Sequence, residues 1–338
     1  VYILATLSIG CSGENGPKDA GTADSDNANN KKPLDELIGS EKKPSINWIR
    51  IESGSFVFGN PIDTPCRSPV SEAEVNVVLT RPFYTAATEL TQSQWEALSL
   101  TNPSWTKGPN KPVTLINLYE AAVWCNKLSK LEGLDTCYNL NACTGDFGSG
   151  CRDEKGVEYP GCGGGDFLFV CEESINKYED RYSCPGYRLP TTAEWEYAAK
   201  AGISDNHTYG GNVFGESLGA CGDQTSLNDI AWYCLNSGDE VKDVVQKLPN
   251  PWGLYDTLGN VGEWVDYYFH SQPLTEGTVS DTLIDPFGPK AGTSQEGQQR
   301  GSSYKDTGCL LKPSEQTRAY RFERLERVGF RPVRTIFE

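Results

Sequence analysis

Two carboxylates and one thiol are the residues best placed to do chemistry. Asp256 and Glu263 lie seven apart in a turn-rich stretch, with Gly259 and Val261 between them. Two carboxylates and two backbone carbonyls from such a turn make an all-oxygen cage of the kind Ca2+ prefers. The competing readings are an exposed loop with unpaired acids, and Glu263 as the buried partner of an arginine. Near the C-terminus Ser303, Asp306 and Cys309 follow Arg300-Gly301-Ser302. A single thiol there can serve as a nucleophile or as half of a disulfide. Only two histidines occur, His207 and His270, so a Ser-His-Asp triad is possible on paper and a multi-histidine metal site is not.

Composition narrows the classes. The chain has 338 residues and a formal charge of −16, which argues against a nucleic-acid binder, since that needs a basic footprint. Twelve cysteines are too many for an ordinary cytosolic protein of this size, and no C-x-x-C pair suggests zinc. Seven of the twelve fall between Cys137 and Cys221 in a Gly-rich stretch that cannot build its own core, so disulfides and an oxidising compartment are expected. Setting aside Cys11 and a helical Cys125 leaves ten cysteines, an even number. Cys221 and Cys234 could pair, and Cys309 could pair with Cys66. The six from Cys137 to Cys184 allow fifteen connectivities.

The first ten residues, Val1 to Gly10, are apolar and run into Cys11, after which the sequence turns polar. This pattern is similar to a truncated bacterial lipoprotein signal with an imperfect lipobox, Ser8-Ile9-Gly10-Cys11. Ten residues are too few to span a bilayer, which takes about twenty. The expected organisation is a signal remnant over 1–11 with lipid on Cys11 as the membrane attachment, a flexible tether over 12–45, and a folded domain over 46–338 carrying a Cys-rich insertion at 137–184. The expected location is the bacterial cell envelope, lipid-anchored or secreted.

The elements that must hold these residues are short. Trp48 to Ile51, a Glu52-Ser53-Gly54-Ser55 turn and Phe56 to Gly59 read as strand, turn, strand, and Val75, Val77 and Leu79 alternate as another strand. Three helices are marked by capping boxes: Thr91 with Gln94, running to about Leu98; Asn117 with Glu120, ending at Gly133; and Thr191 with Glu194, ending at Gly202. Leu118, Ala121, Cys125 and Leu128 share the inner face of the second helix, which makes Cys125 a core thiol. Long irregular stretches between these elements indicate an α+β class with small twisted sheets and extensive loops.

Several strings, taken together and in order, carry a resemblance. They are Gly54-Ser55-Phe56-Val57-Phe58-Gly59, Thr88-Glu89-Leu90-Thr91-Gln92-Ser93-Gln94-Trp95, Trp124-Cys125-Asn126, and Gly186-Tyr187-Arg188-Leu189-Pro190-Thr191-Thr192-Ala193-Glu194-Trp195-Glu196. Further on come Asn250-Pro251-Trp252-Gly253-Leu254-Tyr255-Asp256, Gly259-Asn260-Val261-Gly262-Glu263-Trp264, Arg300-Gly301-Ser302-Ser303 and Gly329-Phe330-Arg331. Over roughly residues 46–334 the chain resembles the formylglycine-generating enzyme family, also called the sulfatase-modifying factor family. The resemblance implies the formylglycine-generating-enzyme variant of the C-type lectin fold. It also implies structural Ca2+ held by the Asp256 and Glu263 side chains and the Gly259 and Val261 carbonyls, with a second ion upstream near Asn228 to Ser237.

The family's oxidase chemistry uses two cysteines after an Arg-Gly-Gly-Ser string to grip Cu(I), a soft ion suited to paired thiolates. Here Ser303 matches the family serine, Asp306 falls on the first cysteine position, and the second position falls near Leu311 or just before Arg318. Cys309 is the lone thiol of the region, and Ser302 replaces the second glycine. If the chain is an oxidase making formylglycine from a sulfatase cysteine, Cys309 and Ser303 carry the reaction with copper. The expectation, however, is a scaffold without that chemistry, binding a protein or glycan partner at the cell surface. A related branch that makes sulfoxides with non-haem iron needs a histidine-rich site absent here. Another branch diversifies surface loops for ligand binding, and the polar stretch from Leu274 to Lys312 suits such a surface.

Overall fold

The computed structural model describes residues 41–337 apart from 63, 65, 69–71, 146, 149–168, 172–174, 204–224, 269–281 and 288–294. The signal remnant and most of the tether read from the sequence lie outside these residues. At the end of that stretch Glu41 pairs with Lys127, and the Lys42 N–H donates to the Ala97 carbonyl at 2.9 Å.

Strands β1 (Trp48–Ile51), β2 (Gly54–Phe58), β3 (Val75–Leu79) and β4 (Phe83–Ala86) come first. The pattern of β3 explains its place: Val75, Val77 and Leu79 are buried and Asn76 between them is exposed, so one face enters the core. Helices α1 (Gln92–Glu96) and α2 (Leu118–Leu131) follow, then the two-residue strands β5 (Cys143–Thr144), β6 (Val170–Cys171) and β7 (Tyr187–Arg188). Helices α3 (Thr192–Lys200) and α4 (Thr225–Asn228) precede β8 (Gly262–Tyr268), β9 (Leu283–Ile284), β10 (Glu296–Arg300), β11 (Thr317–Tyr320), β12 (Val328–Phe330) and β13 (Val333–Thr335).

The three capping boxes form as the sequence predicts. At each of Thr91, Asn117 and Thr191 the side chain accepts from the backbone N–H three residues on, and that residue's side chain accepts from the cap N–H. Each satisfies two donors that a helix start leaves unpaired, worth about 1 kcal/mol per cap. Helix α1 stops two residues earlier than expected, where Ser99 turns to a φ of 58°.

The sheets interleave distant parts of the chain. One runs β1-β4-β13-β7, so the last strand lies between strands from the first and middle thirds. A second runs β11-β10-β8-β12, with β12 parallel to β8 and the rest antiparallel. A third runs β2-β3-β9, and β5 pairs β6. Ile51, Phe58, Val77, Phe83, Tyr182, Ala198 and Leu254 form one apolar cluster between the first and third sheets and α3. Small sheets, few helices and long loops make the α+β architecture expected from the sequence.

Buried ion pairs tie loops to this frame. Arg188 meets Glu194 through two bonds of 2.7 Å, Arg324 meets Glu120 at 2.7 and 2.9 Å, Arg300 meets Glu196, and Lys312 meets Glu72 at 2.8 Å. Each pair is almost wholly removed from water, so loss of one partner would leave an uncompensated charge.

Candidate functional site

The C-terminal turn is where an oxidase centre would lie. Strand β10 delivers Arg300, and Gly301 at φ 88° turns the chain beside the Trp195 ring. Ser302 sits at φ 59°, the left-handed region where its family counterpart is glycine, and its hydroxyl donates to the Leu310 carbonyl at 2.7 Å. Ser303 donates through both its N–H and its hydroxyl to Asp306 Oδ2, each at 2.7 Å. Asp306 therefore serves as a turn cap, and its other oxygen faces Arg327 at 3.3 Å. Ser303 is buried, and its hydroxyl proton is committed to a carboxylate.

Cys309 lies in the next turn, Gly308–Leu310, and is bonded to Cys66 with 5.8 Å between their Cα atoms. Of the alternatives left open by the sequence, the disulfide is the one formed. Cys125 is the free cysteine among the described residues; it is fully buried on α2, and burial pushes its thiol far above the ordinary range. The sulfur facing Cys309 is that of Cys66, bonded to it, and the free thiol among the described residues is the buried Cys125, so the residues as placed offer no thiolate pair for Cu(I).

Among the described residues the other cysteines act as staples. Cys137 bonds Cys184 and Cys143 bonds Cys171, nested across the insertion. Cys234 is disulfide-bonded as well, while Cys221, Cys151 and Cys162 lie outside the described residues.

The acidic loop is built around a guanidinium. Glu263, on β8, accepts from Arg331 Nη2 at 2.8 Å and from Nε at 3.1 and 3.2 Å, and its Oε2 also accepts from Trp195 Nε1 at 2.6 Å. Both oxygens are thereby occupied. Asp256 stands at φ 55°; its Oδ2 accepts from the Val245 N–H at 2.9 Å, and its Oδ1 is buried without a hydrogen-bond partner. Burial, with Glu263 nearby, pushes the Asp256 carboxyl up to about 6. Glu89, which the sequence reading did not single out as a site residue, completes the group. It accepts from the Val261 N–H at 3.1 Å and Asn260 Nδ2 at 3.3 Å. Burial first, then the Asp256 and Glu263 charges, raise its carboxyl well above the usual range. Its place inside Thr88-Glu89-Leu90-Thr91, just before a helix cap, was the available signal.

Calcium held by Asp256, Glu263 and the Gly259 and Val261 carbonyls requires an open carboxylate on Glu263. Among the described residues no three or more His, Cys, Asp or Glu side chains gather closely enough to share an ion. Asp256 Oδ1 with the Gly259 and Val261 carbonyls makes three oxygens, short of the six or so that Ca2+ takes, so the side chains as placed do not complete the cage.

Of the polar stretch from Leu274 to Lys312 expected as a recognition surface, residues 274–281 and 288–294 lie outside the described residues. The residues next to it carry an aromatic face that sequence reading missed. Strand β11 is the edge of its sheet, and Arg318, Tyr320 and Phe322 alternate with buried Ala319 and Arg321. The Tyr320 and Phe322 rings stack at 5.2 Å and 5°, with Tyr320 46% exposed. The alternating string Arg318-Ala319-Tyr320-Arg321-Phe322 was the legible clue.

Fold and site together define a disulfide-stapled, loop-rich C-type-lectin-like domain whose C-terminal turn is closed by the Cys66–Cys309 bond. A model of the sulfatase-modifying factor enzyme 1-like domain matches residues 35–336, and the chain belongs to that family. It is 31% identical over 249 residues to the Chaperone protein LppX of Paenibacillus barcinonensis, covering 68% of this chain and 74% of that one. It is 25% identical over 272 residues to the formylglycine-generating enzyme of Streptomyces coelicolor, covering 76% and 78%. Among solved structures, Treponema denticola variable protein 1 superposes with a TM-score of 0.63 at 27% identity, covering 86% of this chain and 95% of that chain.

Proposed function

We propose that this protein acts outside the cytoplasm as a binding protein for a polypeptide partner, in the manner of a chaperone, without the oxidase chemistry of its family. The observation that carries the reading is the Cys66–Cys309 bond, which consumes the one thiol of the C-terminal turn. The name of the LppX relative and the disulfides support the role and the compartment. Exposed Tyr320 and half-buried Phe322 supply the contact surface: stacked rings offer apolar area at low entropic cost, beside Arg318, whose guanidinium pairs with Glu296 at 3.3 Å. Lipid on Cys11 tethers the domain to the envelope in this reading.

The test uses reduced, unfolded α-lactalbumin as the client, chosen because it is acidic and so not drawn by the −16 charge. The wild-type protein should suppress its aggregation, and the Tyr320→Ala/Phe322→Ala variant should not. A glycan array bound through the same face, with no effect on the client, would replace a polypeptide partner by a glycan. Conversion of a Cys-x-Pro-x-Arg peptide with copper and oxygen, abolished by Cys309→Ser, would overturn the reading.

A further inference from the structure

The two cation positions that the family resemblance implies lie in loops already gathered around the chain's own positive groups. At the downstream position the Arg331 guanidinium binds Glu263, donates to the Ala86 carbonyl at 2.9 Å through Nη1, and donates to the Tyr255 carbonyl at 2.8 Å through Nη2. It thus joins the end of β4, the turn before Asp256 and strand β8, which is the task of a loop-ordering ion. At the upstream position Lys247 Nζ lies 3.8 Å over the centre of the Trp232 ring and donates to the Asn228 carbonyl. Burial pushes the Lys247 ammonium below its ordinary range, with the Asp229 and Asp256 carboxylates opposing that shift, and the Lys242 ammonium lies 5.8 Å from the same ring.

The oxygens gathered in the upstream loop already accept hydrogen bonds. Asn228 Oδ1 accepts from the Tyr233 hydroxyl and Asn236 Nδ2, each at 3.2 Å. The Ala231 carbonyl accepts from Asn236 Nδ2 at 3.0 Å, and the Trp232 carbonyl accepts from the Asn260 N–H at 2.9 Å. The Tyr233 carbonyl accepts from the Ser237 N–H at 2.9 Å. A metal entering here would have to displace these donors, the ammonium among them. Downstream, Ca2+ demands six to eight oxygens at about 2.3 to 2.6 Å, and Asp256 Oδ1 with the Gly259 and Val261 carbonyls supplies three.

We propose that Arg331 and Lys247 are the resident cations of these two loops, so that the domain is ordered without Ca2+ and its stability does not respond to the ion. A guanidinium suits the downstream place because its planar fork meets a carboxylate and two carbonyls at once. An ammonium over an indole suits the upstream place because the ring face and a carbonyl together replace its hydration.

The experiment is metal analysis and thermal melting of the full chain. Protein exposed to millimolar CaCl2 and then dialysed into Ca2+-free buffer should retain no stoichiometric calcium. Its Tm should be the same in excess Ca2+ and in EGTA. One or more calcium ions retained per chain, or a Tm several degrees lower in EGTA, would overturn the proposal. Lys247→Gln should lower Tm by several degrees in either buffer. A variant as stable as the wild type would remove Lys247 from the account, and Tm restored by Ca2+ in that variant would show an ion site behind the lysine. Should Lys247→Gln fail to fold, the wild-type calcium content still decides.

Discussion

Replacing both Cys66 and Cys309 by alanine separates a structural bond from a redox centre. The bond joins residues 243 apart, so in the unfolded chain it closes nearly the whole domain into one loop. For a loop of that length, chain-entropy arithmetic gives a ceiling of about 5.5 kcal/mol at 25 °C, and measured bonds more often contribute about 2–4 kcal/mol. Removing the pair should therefore cost about 2–4 kcal/mol in urea unfolding, with the midpoint falling and the other disulfides intact. The turn it anchors also holds Lys312, whose ammonium donates to the Cys66 carbonyl at 2.8 Å, so part of the loss should appear as local opening around residues 302–314 in hydrogen exchange. Thiol titration gives the companion readout. In native protein none of the described cysteines should react, because Cys125 is buried and protonated and the others are bonded, and unfolding without reductant should release the Cys125 thiol. A fast-reacting thiol in the native protein, traced to Cys309, together with a double variant as stable as wild type, would refute the structural assignment and reopen the copper chemistry.

Arg324→Met should destabilise by about 3–5 kcal/mol in denaturant unfolding, since Glu120 would keep its buried charge with only the Asn117 and Gly148 N–H groups to balance it. Gly259→Ala should cost more than about 2 kcal/mol, because its φ of 75° is reached with the added carbon only 2.1 Å from the Trp232 carbonyl oxygen; a neutral result by thermal melting would mean the loop yields there. Burial raises the Glu315 carboxyl above its ordinary range although Lys312 stands 2.9 Å away. The folded state thus holds that proton more tightly than the unfolded chain, and the stabilisation it confers is lost as pH rises from the ordinary carboxylate value through the raised one. Glu315→Gln should gain stability relative to wild type between pH 4 and pH 7, measured as paired unfolding curves, and a flat or opposite trend would contradict the burial argument.

Local chemistry made the helices and first strands legible. Thr91-Gln94, Asn117-Glu120 and Thr191-Glu194 each declare a helix start through side chains three residues apart, and Val75, Val77 and Leu79 declare a buried face by period. The free, buried Cys125 followed from the same helical spacing. The acidic loop was less legible because its answer depends on contacts across long separations. Glu263 and Arg331 are 68 residues apart, and Asn260 meets Glu89 across 171. Spacing within residues 256–263 shows carboxylates near carbonyls but does not show which cation reaches them first. The Tyr320 and Phe322 stack was missed for a related reason: β11 is four residues long, and its alternation becomes meaningful once β10 is known to bury the other face.

The family strings and the family chemistry are separable in this molecule. The charged members of those strings bond mainly to one another or to the frame: Arg188 to Glu194 on either side of a helix cap, Glu196 to Arg300 across 104 residues, Glu263 to Arg331 across 68. Their aromatic members close the same joints, with Trp195 donating to Glu263 and Trp264 donating to the Ile116 carbonyl at 3.2 Å. None of these contacts needs a thiol at 306, near 311 or just before 318. Substituting either catalytic cysteine position therefore leaves every buried pair intact, whereas losing one of the paired charges costs several kcal/mol. A chain under pressure only to stay folded would keep the strings and be free to lose the cysteines. Here one position holds Asp306 as the cap of Ser303, and the nearby Cys309 is bonded to Cys66. The resemblance measures the scaffold, and what the scaffold does must be read from the surfaces it exposes.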